Sequence, residues 1–195
     1  LGGITVLTNL APAAVAAHFL LSMVLVAASV VLLLALTRPQ APATHRSEVR
    51  VLAGAVALVA AVVLTLGTVV TGSGPHSGDA VHPSRFGFDP RSVSWLHADA
   101  VWLFVGLVAA LAFTLRLVDA PAVARRRAGW LVAVTLAQGV IGYVQYFTSL
   151  PAALVVAHML GASLLTVAVT AVVVAVTGTP WHTLVLVEPA PGPTA

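Results

Sequence analysis

The chain of 195 residues has no cysteine. Disulfides, iron–sulfur clusters and thiolate zinc sites are therefore excluded. It also has no lysine, so all nine of its basic residues are arginine. Charge of either sign is scarce: 8% of residues are charged, against about 25% in soluble domains. Hydrophobic residues make up 59%. They lie in long runs that few charges interrupt, the mark of a polytopic membrane protein. The fold class expected is all-α, a polytopic membrane helix bundle. The isoelectric point near 10.6 is the one hint of nucleic acid. The arginines sit in short linkers between apolar runs, so they read as topology signals instead. Arginine in place of lysine, with abundant Ala and Val, suggests a GC-rich bacterial genome. No signal peptide is visible. The chain opens at Leu1 within an apolar stretch, and we expect a longer protein to precede it.

Five spans are expected, at 12–36, 49–70, 90–115, 122–147 and 151–176. Each exceeds the roughly 20 residues that cross a bilayer. Proline suits a first helical turn, where its missing N–H would be unpaired in any case, and Asp89 is a plausible N-cap for the third span. Arg38, Arg46 and Arg50 follow span one; Arg116, Arg125, Arg126 and Arg127 follow span three. The loop after span two has only Arg85 and Arg91, offset by Asp79 and Asp89. The positive-inside bias puts the two richer linkers in the cytoplasm. Trp95, Tyr143, Tyr146 and Phe147 then fall near the outer boundary, and Trp130 and Trp181 near the inner one.

Three inward-running spans carry a histidine at similar depth. His97 and His158 lie seven residues after Pro90 and Pro151, and His18 lies six after Pro12. Imidazole in hydrocarbon is costly without a partner. An internal repeat is also visible: Gly2 and Gly142, Leu10 and Leu150, His18 and His158 share one offset of 140. Four helices per repeat would make spans two to five a complete unit and span one the last helix of a preceding unit.

His97 and His158 are the leading site candidates. Bundles build cofactor sites from facing helices, and two neutral imidazoles can ligate a heme iron axially. Ala98, Gly106, Gly139, Gly142 and Gly161 would make room for the macrocycle. The alternative is that each histidine is hydrogen-bonded across the bundle. The Gly-rich segment Thr71 to Asp79 could hold an anion on backbone N–H groups. With His76, His82 and Arg85 it could meet heme propionates, or it is an ordinary polar loop. Asp99 faces a different side of its helix from His97. Its role stays open between orienting His97 indirectly, binding a propionate, serving a proton path and simple interhelical hydrogen bonding. Gln138 and Gln145 read as structural, His45 and His182 as solvated. The tail from Glu188 reads as disordered.

Several stretches together resemble the C-terminal two-thirds of the bacterial heme A synthase family. They are Leu1-Gly-Gly-Ile-Thr-Val-Leu-Thr with Ala16-Ala-His18-Phe, Gly67-Thr-Val-Val-Thr-Gly-Ser-Gly-Pro-His76-Ser-Gly-Asp79, Leu96-His97-Ala-Asp99-Ala, and Ala137-Gln-Gly-Val-Ile-Gly-Tyr-Val-Gln145 leading to Ala157-His158. They touch every span, and their order and spacing carry the resemblance. It implies eight helices in two pseudo-symmetric halves. Residues 1–37 would close the N-terminal, substrate-heme half, with 38–50 a cytoplasmic linker. Residues 51–177 would be the heme b half and 178–195 a cytoplasmic tail.

The resemblance further implies His97 and His158 as axial ligands of heme b and His18 as a ligand of the substrate, heme O. The implied reaction oxidises the C8 methyl of heme O to a formyl group, giving heme A for cytochrome oxidase. Implied partners are heme O synthase, a membrane electron donor and the bilayer of a bacterial plasma membrane, with a homo-oligomer conceivable and no nucleic acid. Three departures stand against it. The family's glutamate and histidine on the second helix of the first half are not in this chain, so this stretch alone is expected to be inactive. Outer-loop cysteine pairs found in some members are absent, and Ala98 stands where relatives often have arginine. Two other readings are a b-type di-heme electron-transfer cytochrome and a non-enzymatic assembly protein whose histidines serve packing.

Overall fold

The computed structural model describes residues 1–37, 41–78 and 84–179. These form six helices and no strand: α1 Gly2–Leu7, α2 Pro12–Thr37, α3 Ser47–Ser73, α4 Pro90–Leu117, α5 Ala122–Phe147 and α6 Ala152–Thr177. The last five are 26 to 28 residues long and apolar enough to cross a membrane. At about 1.5 Å per residue each outreaches a hydrocarbon core of roughly 30 Å. The molecule is an all-α polytopic bundle.

Expected and observed ends agree closely, except at the end of α3. There the helix runs three residues past Val70 and takes in Thr71, Gly72 and Ser73. The Thr71 and Ser73 hydroxyls donate to the carbonyls of Gly67 and Val69, at 3.1 and 2.8 Å. A Gly-Ser sequence can thus remain helical. The stop comes one residue later, because a residue before proline is pushed out of the α region. Gly74, which precedes Pro75, is extended, with φ −89° and ψ −172°.

Helices α3, α4, α5 and α6 close into a ring in that order, so α4 and α6 lie across the ring from each other. Helix α2 packs outside it, along the α3–α6 edge, where the Thr166 hydroxyl donates to the Met23 sulfur at 3.5 Å. The core follows from inward residues at spacings of three and four, one stripe per helix. It comprises Val49, Ala53, Val56, Ala60 and Val63 on α3, Phe104, Val108, Leu111 and Leu115 on α4, Ala124, Ala128 and Leu131 on α5, and Leu165, Val169, Val172 and Val176 on α6. These residues fill the end of the ring nearer the arginine linkers. Towards the other end the same stripes change character, and the candidate site begins.

Two turns repeat each other. Asn9 and Leu10 have φ 52° and 56°, and Ser149 and Leu150 have φ 62° and 59°. The N–H groups of Leu10 and Leu150 donate to the carbonyls of Thr5 and Gln145, at 2.9 and 2.7 Å. The Thr8 and Thr148 hydroxyls each donate to the carbonyl four residues back, at 2.9 and 2.7 Å. Paired left-handed residues without glycine are unfavourable. Their recurrence at the offset of 140 gives the sequence repeat a conformational counterpart.

The loop after α3 reaches both turns. The Nε2–H of His76 donates to the Leu150 carbonyl at 2.8 Å. Gly78, at φ +130°, lies so close to Leu10 that a Cβ there would stand 2.6 Å from the Leu10 carbonyl oxygen. The loop then returns to α3, where the Phe86 N–H donates to the Gly72 carbonyl at 2.8 Å.

Opposite ends of the ring are directly addressable because the chain has no native cysteine. If the arginine linkers are cytoplasmic, Ser149→Cys in intact cells will react with a membrane-impermeant maleimide. Ser47→Cys will react only after permeabilisation; the reverse pattern would invert the topology.

Asp89 caps α4 as expected, accepting from the Ser92 amide at 2.8 Å and the Ser92 hydroxyl at 2.7 Å. The Ser92 hydroxyl, then its amide, holds this carboxyl below its ordinary value of 3.8. A depressed acid stabilises the folded cap above the unfolded value and loses that contribution as pH falls through the folded one. Hydrogen exchange at Ser92 and Val93, corrected for intrinsic rates, will therefore accelerate below about pH 4. In Asp89→Asn, whose cap is neutral, that acceleration will be absent.

Candidate functional site

The inward stripes carry the histidines to one place. His97 precedes Phe104 by seven residues, and His158 precedes Leu165 by seven. Two helical turns bring a side chain back to nearly the same face, so each imidazole continues the core stripe of its helix. Both helices run away from the histidine end. The two rings enter the ring interior at matched depth from opposite walls, α4 and α6. Both residues are half-buried.

Each imidazole lies over a glycine of the preceding, antiparallel helix. A Cβ on Gly67 of α3 would stand 3.4 Å from Cε1 of His97, and one on Gly142 of α5 would stand 3.4 Å from Cε1 of His158. His18 on α2 repeats the arrangement with Gly2 of α1, at 3.6 Å. The offset of 140 exposes the Gly2 and Gly142 pair in the sequence. Gly67 was missed, because the repeat has no second copy of its helix in this chain.

The Nδ1 atoms of His97 and His158 are buried without a hydrogen-bond partner among the described residues. Gln145 Oε1 and Thr135 Oγ1 on α5 are the other buried side-chain atoms without a partner among the described residues. Both continue the inward stripe of α5 from Ala124, Ala128 and Leu131.

The small residues divide by task. Gly142 makes room for the His158 ring. Gly161, expected to make room for a macrocycle, instead receives the Gln138 carboxamide, which occupies the space a Cβ would take. Gly106 and Gly139 have open space around them, and Ala98 is half-buried on α4.

His18 is exposed on α2, outside the ring and apart from the His97–His158 pair. His76 is exposed and tied to Leu150, and Arg85 is exposed in the loop before α4. The expected anion-binding turn is partly taken up by the helix: Gly72 and Ser73 belong to α3, and the Gly74 N–H donates to the Thr71 carbonyl at 3.2 Å. Asp99 is exposed on the outward face of α4, alongside Trp95 and Trp102. The Trp102 indole donates to the Tyr143 hydroxyl there at 3.2 Å. His45 is exposed. His82 and His182, with Asp79, Trp181 and the tail from Glu188, lie outside the described residues.

Among the described residues no three His, Cys, Asp or Glu side chains converge as ligands for a bare metal ion. The arrangement offers a pair of imidazoles at the mouth of an apolar ring. Comparison with protein-family models, with curated proteins and with solved structures finds no match to this chain.

Gly161→Ala is expected to destabilise the bundle by roughly 1–3 kcal/mol through overpacking, read from unfolding in detergent. The loss will shrink in a Gln138→Ala background, because the carboxamide that the new methyl displaces is then gone.

Proposed function

We propose that His97 and His158 hold a heme b as its two axial ligands, and that the chain supplies the cofactor half of a heme A synthase. The observation that carries this is their convergence: two imidazoles from opposite walls, at one depth, each seated on a glycine and each with a buried, unpartnered Nδ1. A porphyrin supplies four of the iron's ligands itself. A site with two imidazoles and no third ligand suits it, whereas a bare cation would want more.

When bound, the heme supplies one-electron redox chemistry. The chain's own residues do the rest. Gly67 and Gly142 leave room for the two rings beside the neighbouring helices. The core beneath, from Val63, Phe104, Leu131 and Leu165 onward, closes the ring towards the arginine end and keeps water from that side. His76 and Arg85, at the histidine end, are placed to meet carboxylates emerging there. As an imidazolium, His76 would have a second N–H, beyond the one given to Leu150, to donate to such a carboxylate.

The described acidic residues suit an electron-carrying half. Glu48 and Asp119 lie at the arginine end, Asp89 caps α4 and Asp99 faces outward. None stands beside the imidazole pair to work as an acid or base. Oxidation of the C8 methyl of heme O to the formyl of heme A would then take place in the preceding half, to which His18 contributes a ligand. Heme O, heme O synthase and a membrane electron donor are the partners this assigns, in the plasma membrane of a bacterium.

The test is the reduced-minus-oxidised spectrum of the chain purified in detergent, with the pigment extracted and identified. The expected result is a low-spin b-type spectrum at about one heme per chain. His97→Ala or His158→Ala will abolish it, while His18→Ala will leave it intact. A folded but colourless wild-type chain would refute the bis-imidazole reading and return the histidines to packing.

A further inference from the structure

We infer that Gln145 is a positioning residue for His158: its side-chain carbonyl accepts the Nδ1–H of the imidazole when Nε2 is bound to iron. This rests on the bis-imidazole reading above.

The accounting of buried polar groups leads to it. A buried donor or acceptor without a partner is costly, and a histidine that ligates a metal almost always donates its other N–H to an acceptor. Four buried side-chain atoms lack partners among the described residues: Nδ1 of His97, Nδ1 of His158, Oγ1 of Thr135 and Oε1 of Gln145. Of the two imidazoles, His158 is the one that lies over a residue of α5, Gly142. Two orphaned acceptors remain, both on α5, the helix that packs against α6.

Depth separates them. Gly142 marks the level of the His158 ring on α5. Thr135 lies seven residues away towards the core, about 10 Å at the rise of a helix. Gln145 lies three residues away towards the histidine end, about 4.5 Å, and on the same face as Gly142. Side chains on a helix lean towards its N-terminus. For His158 that is the Pro151 end, where Gln145 stands. Gln138 lies on the other side of the ring, held in the space over Gly161.

The backbone of Gln145 is fixed as a positioning residue requires. Its carbonyl accepts from the Leu150 N–H at 2.7 Å, and the Leu150 carbonyl in turn accepts from His76 at 2.8 Å. The turn before α6 therefore sets where the carboxamide starts from, and the outer loop holds the turn.

The experiment compares the heme-loaded chain with Gln145→Leu, Gln145→Met and Gln145→Glu, and with Thr135→Val as a control for removal of a buried polar atom. Heme retention is followed by transfer to apomyoglobin, and the midpoint potential by redox titration. Gln145→Leu is expected to weaken retention roughly 10- to 100-fold, the usual effect of losing such a partner. It will also raise the midpoint potential, because an imidazole that no longer donates its N–H is a weaker electron donor to iron. Gln145→Glu will restore retention and bring the potential below that of the wild type. Thr135→Val will leave the potential where it was. Should Gln145→Leu fail to fold, Gln145→Met, matched in length but without an amide acceptor, decides the matter. Retention and potential unchanged in the Leu or Met variant would overturn the inference while leaving the bis-imidazole reading standing. A wild-type chain that takes up no heme would sink both.

Discussion

Everything at the histidine end depends on one contact, an imidazole against the bare backbone of a glycine on the neighbouring antiparallel helix. It occurs at Gly67 with His97, Gly142 with His158 and Gly2 with His18. A branched side chain at any of these positions would fill the space where the ring now lies. Two of the three rings face the interior of the four-helix ring; the third stands outside it. At each glycine the ring lies at van der Waals distance from where a Cβ would stand, so the glycine leaves room for it.

Much of this was legible in the sequence, for identifiable reasons. Charge scarcity and apolar run length fixed the number of spans. The common spacing from proline to histidine placed the imidazoles at one depth, since helical rise is constant. The heptad relation of His97 to Phe104 and of His158 to Leu165 then turns them inward, which the ring of helices makes visible. The repeat also reached further than residue identity: Asn9-Leu10 and Ser149-Leu150 share no side chain but leucine, yet fold alike.

Other features could not be read. The end of α3 was misplaced because Gly72 and Ser73 look like loop, and only the hydroxyl back-bonds and Pro75 show where the helix stops. Gly161 looked like space for a ligand because a sequence does not show which neighbour fills a gap. Gln138 and Gln145 are the same residue type on one helix face seven residues apart. One is seated over Gly161 and the other has a buried carbonyl without a partner. That difference comes from the facing helix, which periodicity within α5 cannot reveal.

The loop that follows α3 constrains the order in which the protein can be put together. Its contacts reach backwards to Leu10 and forwards to Leu150, so a ribosome delivers one of its docking points long before it and the other long after it. Until the turn between α5 and α6 is in place, His76 lacks its bond to Leu150. The loop can settle only as the last hairpin arrives, which makes its closure a late event of biogenesis.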